Sequence, residues 1–120
     1  MSAADFDTVF ARLRSVMLDA CDARMEVTKD APGDLVVRTR ALDTKGQPGW
    51  FGMVAIKKSY VSYHLMPLYE HPALAEALPK QLAKRRQGKT CFNFRAVDDA
   101  VFAQLAELSA AAAGTVPDGS

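Results

Sequence analysis

The sequence lacks most of the marks of a specialised chemistry. It has only two cysteines, Cys21 and Cys91, far apart in the chain. Its opening, MSAADFDTVF, carries aspartates where an export signal would carry a basic region. Two thiols without an export signal are expected to stay free, so a cytoplasmic location is expected. No apolar run approaches the roughly 18 residues of a membrane span. Neither sign of charge dominates: 15 basic against 14 acidic residues leave a net charge of +1. Bulk charge therefore gives no reason to expect nucleic acid or an anionic membrane as a partner. No H-x-x-x-H, C-x-x-C or EF-hand spacing occurs, so no metal or cofactor is expected from motifs. Repeats and coiled-coil heptads are also missing.

What is present reads as one α+β domain. With 120 residues, 49% hydrophobic and 24% charged, the chain suits a single globular core. The domain is expected over 1–114, with 115–120 as a frayed tail. Phe6, Val9, Phe10, Leu13, Val16, Met17 and Ala20 recur at helical spacing behind Asp5 and Asp7, which predicts a helix over 7–23. Strands are predicted over 25–29, 35–42, 50–57 and 60–66, and a fifth over 90–95. Ala31-Pro32-Gly33-Asp34 is a turn, and 43–49 is a mobile loop rich in breakers. Short helices are predicted over 72–78 and 79–87, the second stopped by Gly88 in the left-handed conformation. Asp98 caps a last helix running to about Ala112, with Val97 and Phe102 at the positions of a hydrophobic staple. An antiparallel sheet of about five strands, covered by the N-terminal and C-terminal helices, is the expected architecture.

The stretch 50–69, WFGMVAIKKSYVSYHLMPLY, is its expected centre. Alternation puts Trp50, Gly52, Val54 and Ile56 on one face and Phe51, Met53, Ala55 and Lys57 on the other. Both faces are largely apolar, as in a central strand. In the next strand Tyr60, Ser62, His64 and Met66 share one face, and Val61, Tyr63 and Leu65 the other. In the last strand Cys91, Asn93 and Arg95 share a face.

Two pieces, YVSYHLMPLYEHPAL and QGKTCFNF, together with the lysine-bearing turn Ile56-Lys57-Lys58, resemble the YdhG-like family, a domain of unknown function. The resemblance spans 50–108. It implies a compact α+β fold and no established catalytic chemistry. Some members are labelled intracellular iron chaperones. No functional residue can be carried over, because the family has none firmly assigned.

Four candidate sites compete. An iron surface would draw on Asp5, Asp7, Asp19, Asp22, Glu26, Asp30 and Asp34, but acids near a helix start are ordinary cap and dipole chemistry. A thiol-dependent enzyme would use Cys91 with His64 and Asn93, with Lys89 favouring the thiolate; the plainer role for Cys91 is a small buried hydrophobe. A basic run without any acid, Lys80, Lys84, Arg85, Arg86, Lys89 and Arg95, could hold a phosphate or an acidic partner. Its plainer role is a solvated helix end. Aromatic side chains of 50–69 could wall a pocket.

The expected function is a non-catalytic domain that binds a small molecule or a partner protein. The expected site is a shared cleft of Lys57, Tyr63, His64, Lys89, Cys91 and Asn93. A homodimer through an exposed strand edge or an apolar helix face is the structural alternative.

Overall fold

The stripe of the first helix finds the sheet it needs. In the computed structural model, which describes residues 3–42, 45–76 and 78–116, helix α1 spans Ala3–Ala20. It begins before Asp5 and Asp7, so these lie within its first turns rather than capping it. It stops where Asp22 Oδ1 accepts the backbone N–H of Arg24 at 2.9 Å, a local turn that competes with helix.

Six strands follow, all paired antiparallel in the order β1-β2-β3-β4-β6-β5. They are β1 (Met25–Ala31), β2 (Asp34–Leu42), β3 (Pro48–Ile56), β4 (Val61–Leu65), β5 (Arg86–Gln87) and β6 (Cys91–Phe94). Between β4 and β5 lie helix α2 (Pro67–Glu70), a 3₁₀ turn (Pro72–Ala75) and the single-turn helix α3 (Lys80–Ala83). Helix α4 (Asp99–Ala113) closes the chain. The α+β class holds, and β3 and β4 are the two middle strands, the first of them as its apolar faces led one to expect.

Several expectations need correction. The helix predicted over 79–87 is one turn, because Arg86 and Gln87 pair with Phe92 and Cys91 to make the unpredicted strand β5. Gly88 does take a positive φ, 81°, but in the β5–β6 turn rather than at a helix end. The helix predicted over 72–78 is a 3₁₀ turn, and α2 stands before it. In the loop predicted over 43–49, Asp43 and Thr44 lie outside the described residues, as do 117–120 of the predicted tail. Val116, expected in that tail, is buried, and its carbonyl accepts Arg24 Nη1 at 2.9 Å.

Both long helices cover one face of the sheet. Leu35, Val37, Val54, Val61, Tyr63, Leu65, Phe92 and Phe94 point into it and are buried with Val9, Leu13 and Met17 of α1 and Val101, Phe102 and Leu105 of α4. Each such side chain contributes roughly 1.5–3 kcal/mol by leaving water. Asp98 caps α4 as predicted, accepting from the Val101 N–H at 3.2 Å. Phe102 meets Phe94 edge to face at 5.1 Å. Arg12 of α1 forms an ion pair with Asp99 of α4.

The alternation predicted for β3 fails at one point. Val37 pairs with Gly52 and Arg38 with Trp50, so Phe51 is the extra residue of a β-bulge. The bulge lets Phe51 bury completely beside Val54, while Trp50 leaves their face and remains 44% exposed. Gly52 stays on the covered face under Met17 of α1. Among the described residues, no helix is long and apolar enough to cross a membrane.

Candidate functional site

Among the described residues, the opposite face of the sheet carries no helix. Its side chains follow from register. One row runs Val36, Met53, His64, Cys91 and Gln87 across β2, β3, β4, β6 and β5; the next runs Asp34, Ala55, Ser62 and Asn93. His64, Cys91 and Asn93 therefore stand together on the open face. Lys57 enters at the β3–β4 turn, where its N–H bonds the Tyr60 carbonyl at 2.8 Å.

Two predicted members are elsewhere. Tyr63 alternates with His64 and so faces the helices, where it is fully buried. Its hydroxyl lies 2.6 Å from Ser109 Oγ of α4, which gives it a core role. Lys89 sits before β6 at the far end of the sheet from Lys57, with its Nζ 5.2 Å from the centre of the Tyr69 ring. The single cleft of six residues is thus not assembled.

A smaller site is. Tyr60, Lys84, Arg85, Gln87, Asn93 and Arg95 line a cavity of about 160 Å³. Alternation brings them to one place. Asn93 and Arg95 follow Cys91 on the open side, Tyr60 leads Ser62 and His64, and Arg85 and Gln87 flank Arg86, which pairs with Phe92 on the covered side. The hydrogen bond from the Asn93 N–H to the Arg85 carbonyl, 2.9 Å, ties β6 to the segment that carries Lys84 and Arg85.

The charge of this cavity is one-sided. Among the described residues, no carboxylate lines it. Elsewhere five cations are paired with carboxylates: Arg12 with Asp99, Arg14 with Asp30, Arg24 with Asp22, Lys29 with Asp34 and Arg40 with Glu26. Among the described residues, the side chains of Lys84, Arg85 and Arg95 have no such partner. A helix dipole does not account for the cluster either, because α3 is a single turn with little dipole to complement. The basic run also divides. Arg86 turns to the covered side and donates from Nη2 to the Lys89 carbonyl at 2.9 Å.

Beside the cavity, electrostatics disfavour a thiolate. Burial raises the Cys91 pKa, opposed by the nearby Lys57 charge and a backbone hydrogen bond from Tyr63. The relevant cation is Lys57, not the predicted Lys89. Burial, then Lys57, lowers the pKa of His64. Cys91 Sγ donates to Asn93 Oδ1 at 3.3 Å, so the thiol is an anchor for the amide, whose Nδ2 protons that bond leaves unspent.

No family model, curated protein or solved structure matches this chain.

The metal reading lacks its ligand set. Among the described residues, no three of His, Cys, Asp and Glu converge. Asp22, Glu26, Asp30 and Asp34 are each held by a cation. Arg24 holds the Asp22 carboxyl down at about 2 through its side-chain and backbone hydrogen bonds.

The sequence pointed to Lys84, Arg85, Arg95 and Asn93 but not to Tyr60 or Gln87 as their companions. Tyr60 could be read from its step with Ser62 and His64. Gln87 could not, because β5 is two residues long and exists only through its pairing with β6.

Proposed function

We propose that this domain binds a small molecule bearing a phosphate group, without catalysis of its own, in the cavity between Tyr60, Lys84, Arg85, Gln87, Asn93 and Arg95. The observation that carries this reading is the set of three cations around one cavity, with no carboxylate in the lining and no ion-pair partner among the described residues. Two guanidinium forks and an ammonium suit a tetrahedral anion, and the Asn93, Gln87 and Tyr60 side chains can donate to its remaining oxygens. A volume of about 160 Å³ suits such a group with part of its ester.

Cytoplasmic residence belongs to the same reading and rests on two free thiols. Kinship with the YdhG-like family is likewise proposed, on the residues of 60–74 and 87–94. No specific observation favours the thiol-enzyme or iron alternatives: the Cys91 pKa is raised, and Asp22, Glu26, Asp30 and Asp34 are paired.

The test is a titration of labelled protein with inorganic phosphate and with phenyl phosphate, followed by amide NMR. Saturable shifts centred on 84–95 are expected, weakening with salt. The charge reversals Lys84→Glu and Arg95→Glu should each reduce affinity about tenfold, the effect of one charge-assisted contact. Shifts that do not saturate, or that survive both reversals, would remove the proposal. Binding of an acidic peptide but of neither phosphate would replace the small molecule with a protein partner.

A further inference from the structure

A second cavity, of about 290 Å³, lies at the other end of the sheet, away from the cations of the first. It is walled by the end of β2, the start of β3, helix α2 and the residues after α4. Among the described residues, four large hydrophobic side chains are exposed: Val27, Leu42, Trp50 and Tyr69. Three of them, Leu42, Trp50 and Tyr69, stand in this one lining, and Met66 and Val116 add to its apolar wall. Exposed apolar surface gathered around a concavity is the usual mark of a ligand site, since scattered exposure would need no explanation.

The polar groups decide the class of ligand. Glu70 is the one acidic or basic side chain among the lining residues that is not histidine. It makes no ion pair among the described residues, whereas Asp22, Glu26, Asp30, Asp34 and Asp99 each do. The two aromatic rings are already used as cation acceptors. The Arg38 guanidinium lies 3.9 Å from the centre of the Trp50 ring, and Lys89 Nζ lies 5.2 Å from that of Tyr69. A neutral apolar ligand would take water from the Glu70 carboxylate and return nothing, and a carboxylate ligand would meet it as a like charge. An ammonium would pair with Glu70 while its apolar body covered Leu42 and the rings.

We propose that the cavity bounded by Leu42, Trp50, Met66, Tyr69, Glu70 and Val116 binds a small apolar amine, with Glu70 receiving the ammonium and the aromatic side chains receiving the body. This site is independent of the phosphate reading and stands or falls without it.

Trp50 is the only tryptophan, so intrinsic fluorescence reports on this cavity directly. The probes are phenethylamine, 2-phenylethanol and 3-phenylpropanoate, which share a ring and a short arm and differ in charge. A saturable change with phenethylamine is expected, with a dissociation constant on the order of 1 mM for so small a ligand. The alcohol should bind about tenfold more weakly and the carboxylate more weakly still. Glu70→Gln should bring the amine to the level of the alcohol and leave phosphate binding at the first cavity intact. Glu70 is exposed at the end of a short helix, and unchanged circular dichroism would establish that the variant is folded. Tyr69→Ala should weaken all three probes. No saturable change with the amine, equal affinity for the three probes, or an amine affinity unchanged in Glu70→Gln would each overturn the proposal.

Discussion

The Tyr63 hydroxyl donates to Ser109 Oγ across the interface between sheet and helix, at 2.6 Å. The direction follows from proton count. Ser109 Oγ sits 2.8 Å from the Leu105 carbonyl, which can only accept, so the serine spends its one proton there. Burial pushes the Tyr63 phenol well above its usual range.

The two ends of this bond are therefore unequal. Tyr63→Phe leaves Ser109 still bonded to Leu105 and should cost about 0.5–1.5 kcal/mol. Ser109→Ala leaves a buried phenol proton with no acceptor and should cost more, about 1–3 kcal/mol. Urea denaturation of both variants measures the order, and a larger loss from Tyr63→Phe would contradict the assigned direction.

Gly52 is where Met17 of α1 packs onto the sheet. A Cβ there would run into Met17 Cε and stand 2.7 Å from the backbone carbonyl oxygen of His64. The methionine can shift, but the carbonyl belongs to the paired middle strand β4 and cannot. Gly52→Ala should destabilise the fold by roughly 3 kcal/mol, at the upper end of overpacking effects. A denaturation midpoint equal to wild type would show that β3 and β4 can part there.

His64 makes stability depend on pH in one direction. Its folded pKa lies below the ordinary 6.5 because of burial and Lys57, so the unfolded chain binds the proton more readily. Its contribution is fully present above about pH 6.5 and is lost as pH falls through the lower folded value. Unfolding free energies between pH 7.5 and 5 should fall, and His64→Gln should flatten that part of the curve. In Lys57→Ala the His64 NMR titration should move up and the Cys91 pKa should rise further, slowing its alkylation near neutral pH. A His64 midpoint that does not respond to Lys57 would show that the lysine points elsewhere.

The three unmatched cations should cost stability when no anion is present. Arg95→Gln is expected to raise the melting temperature slightly in low salt by relieving repulsion with Lys84 and Arg85. Wild type should gain stability with added phosphate according to its affinity, and the variant should gain less. Calorimetric scans with and without phosphate separate the two effects. An equal gain in both proteins would mean that the anion acts elsewhere.

Much of the architecture was legible because periodicity reports burial. The stripe from Val9 to Met17, the alternation of Cys91, Phe92, Asn93 and Phe94, and the Asp98 cap are local patterns, and each formed as its pattern required. Reading failed where a distant partner decided the outcome. Arg86 and Gln87 belong by local sequence to a helix end, yet hydrogen bonds to Cys91 and Phe92 make them a strand. Trp50 and Phe51 exchange their expected faces because one bulged residue shifts every side chain before it.

The amino-acid sequence by itself determined an α+β domain, the face of each strand beyond the bulge, and the sharing of one face by Cys91 and Asn93, since alternation along a strand is fixed by backbone geometry. Only the tertiary structure decided that the six expected site residues do not form one cleft. Tyr63 had to serve the core, and Lys57 and Lys89 were carried to opposite ends by the antiparallel order of the strands. The convergence of Tyr60, Lys84, Arg85, Gln87, Asn93 and Arg95, and the separate assembly of Trp50, Tyr69 and Glu70, come from pairing and packing between segments distant in sequence, and no local pattern encodes these.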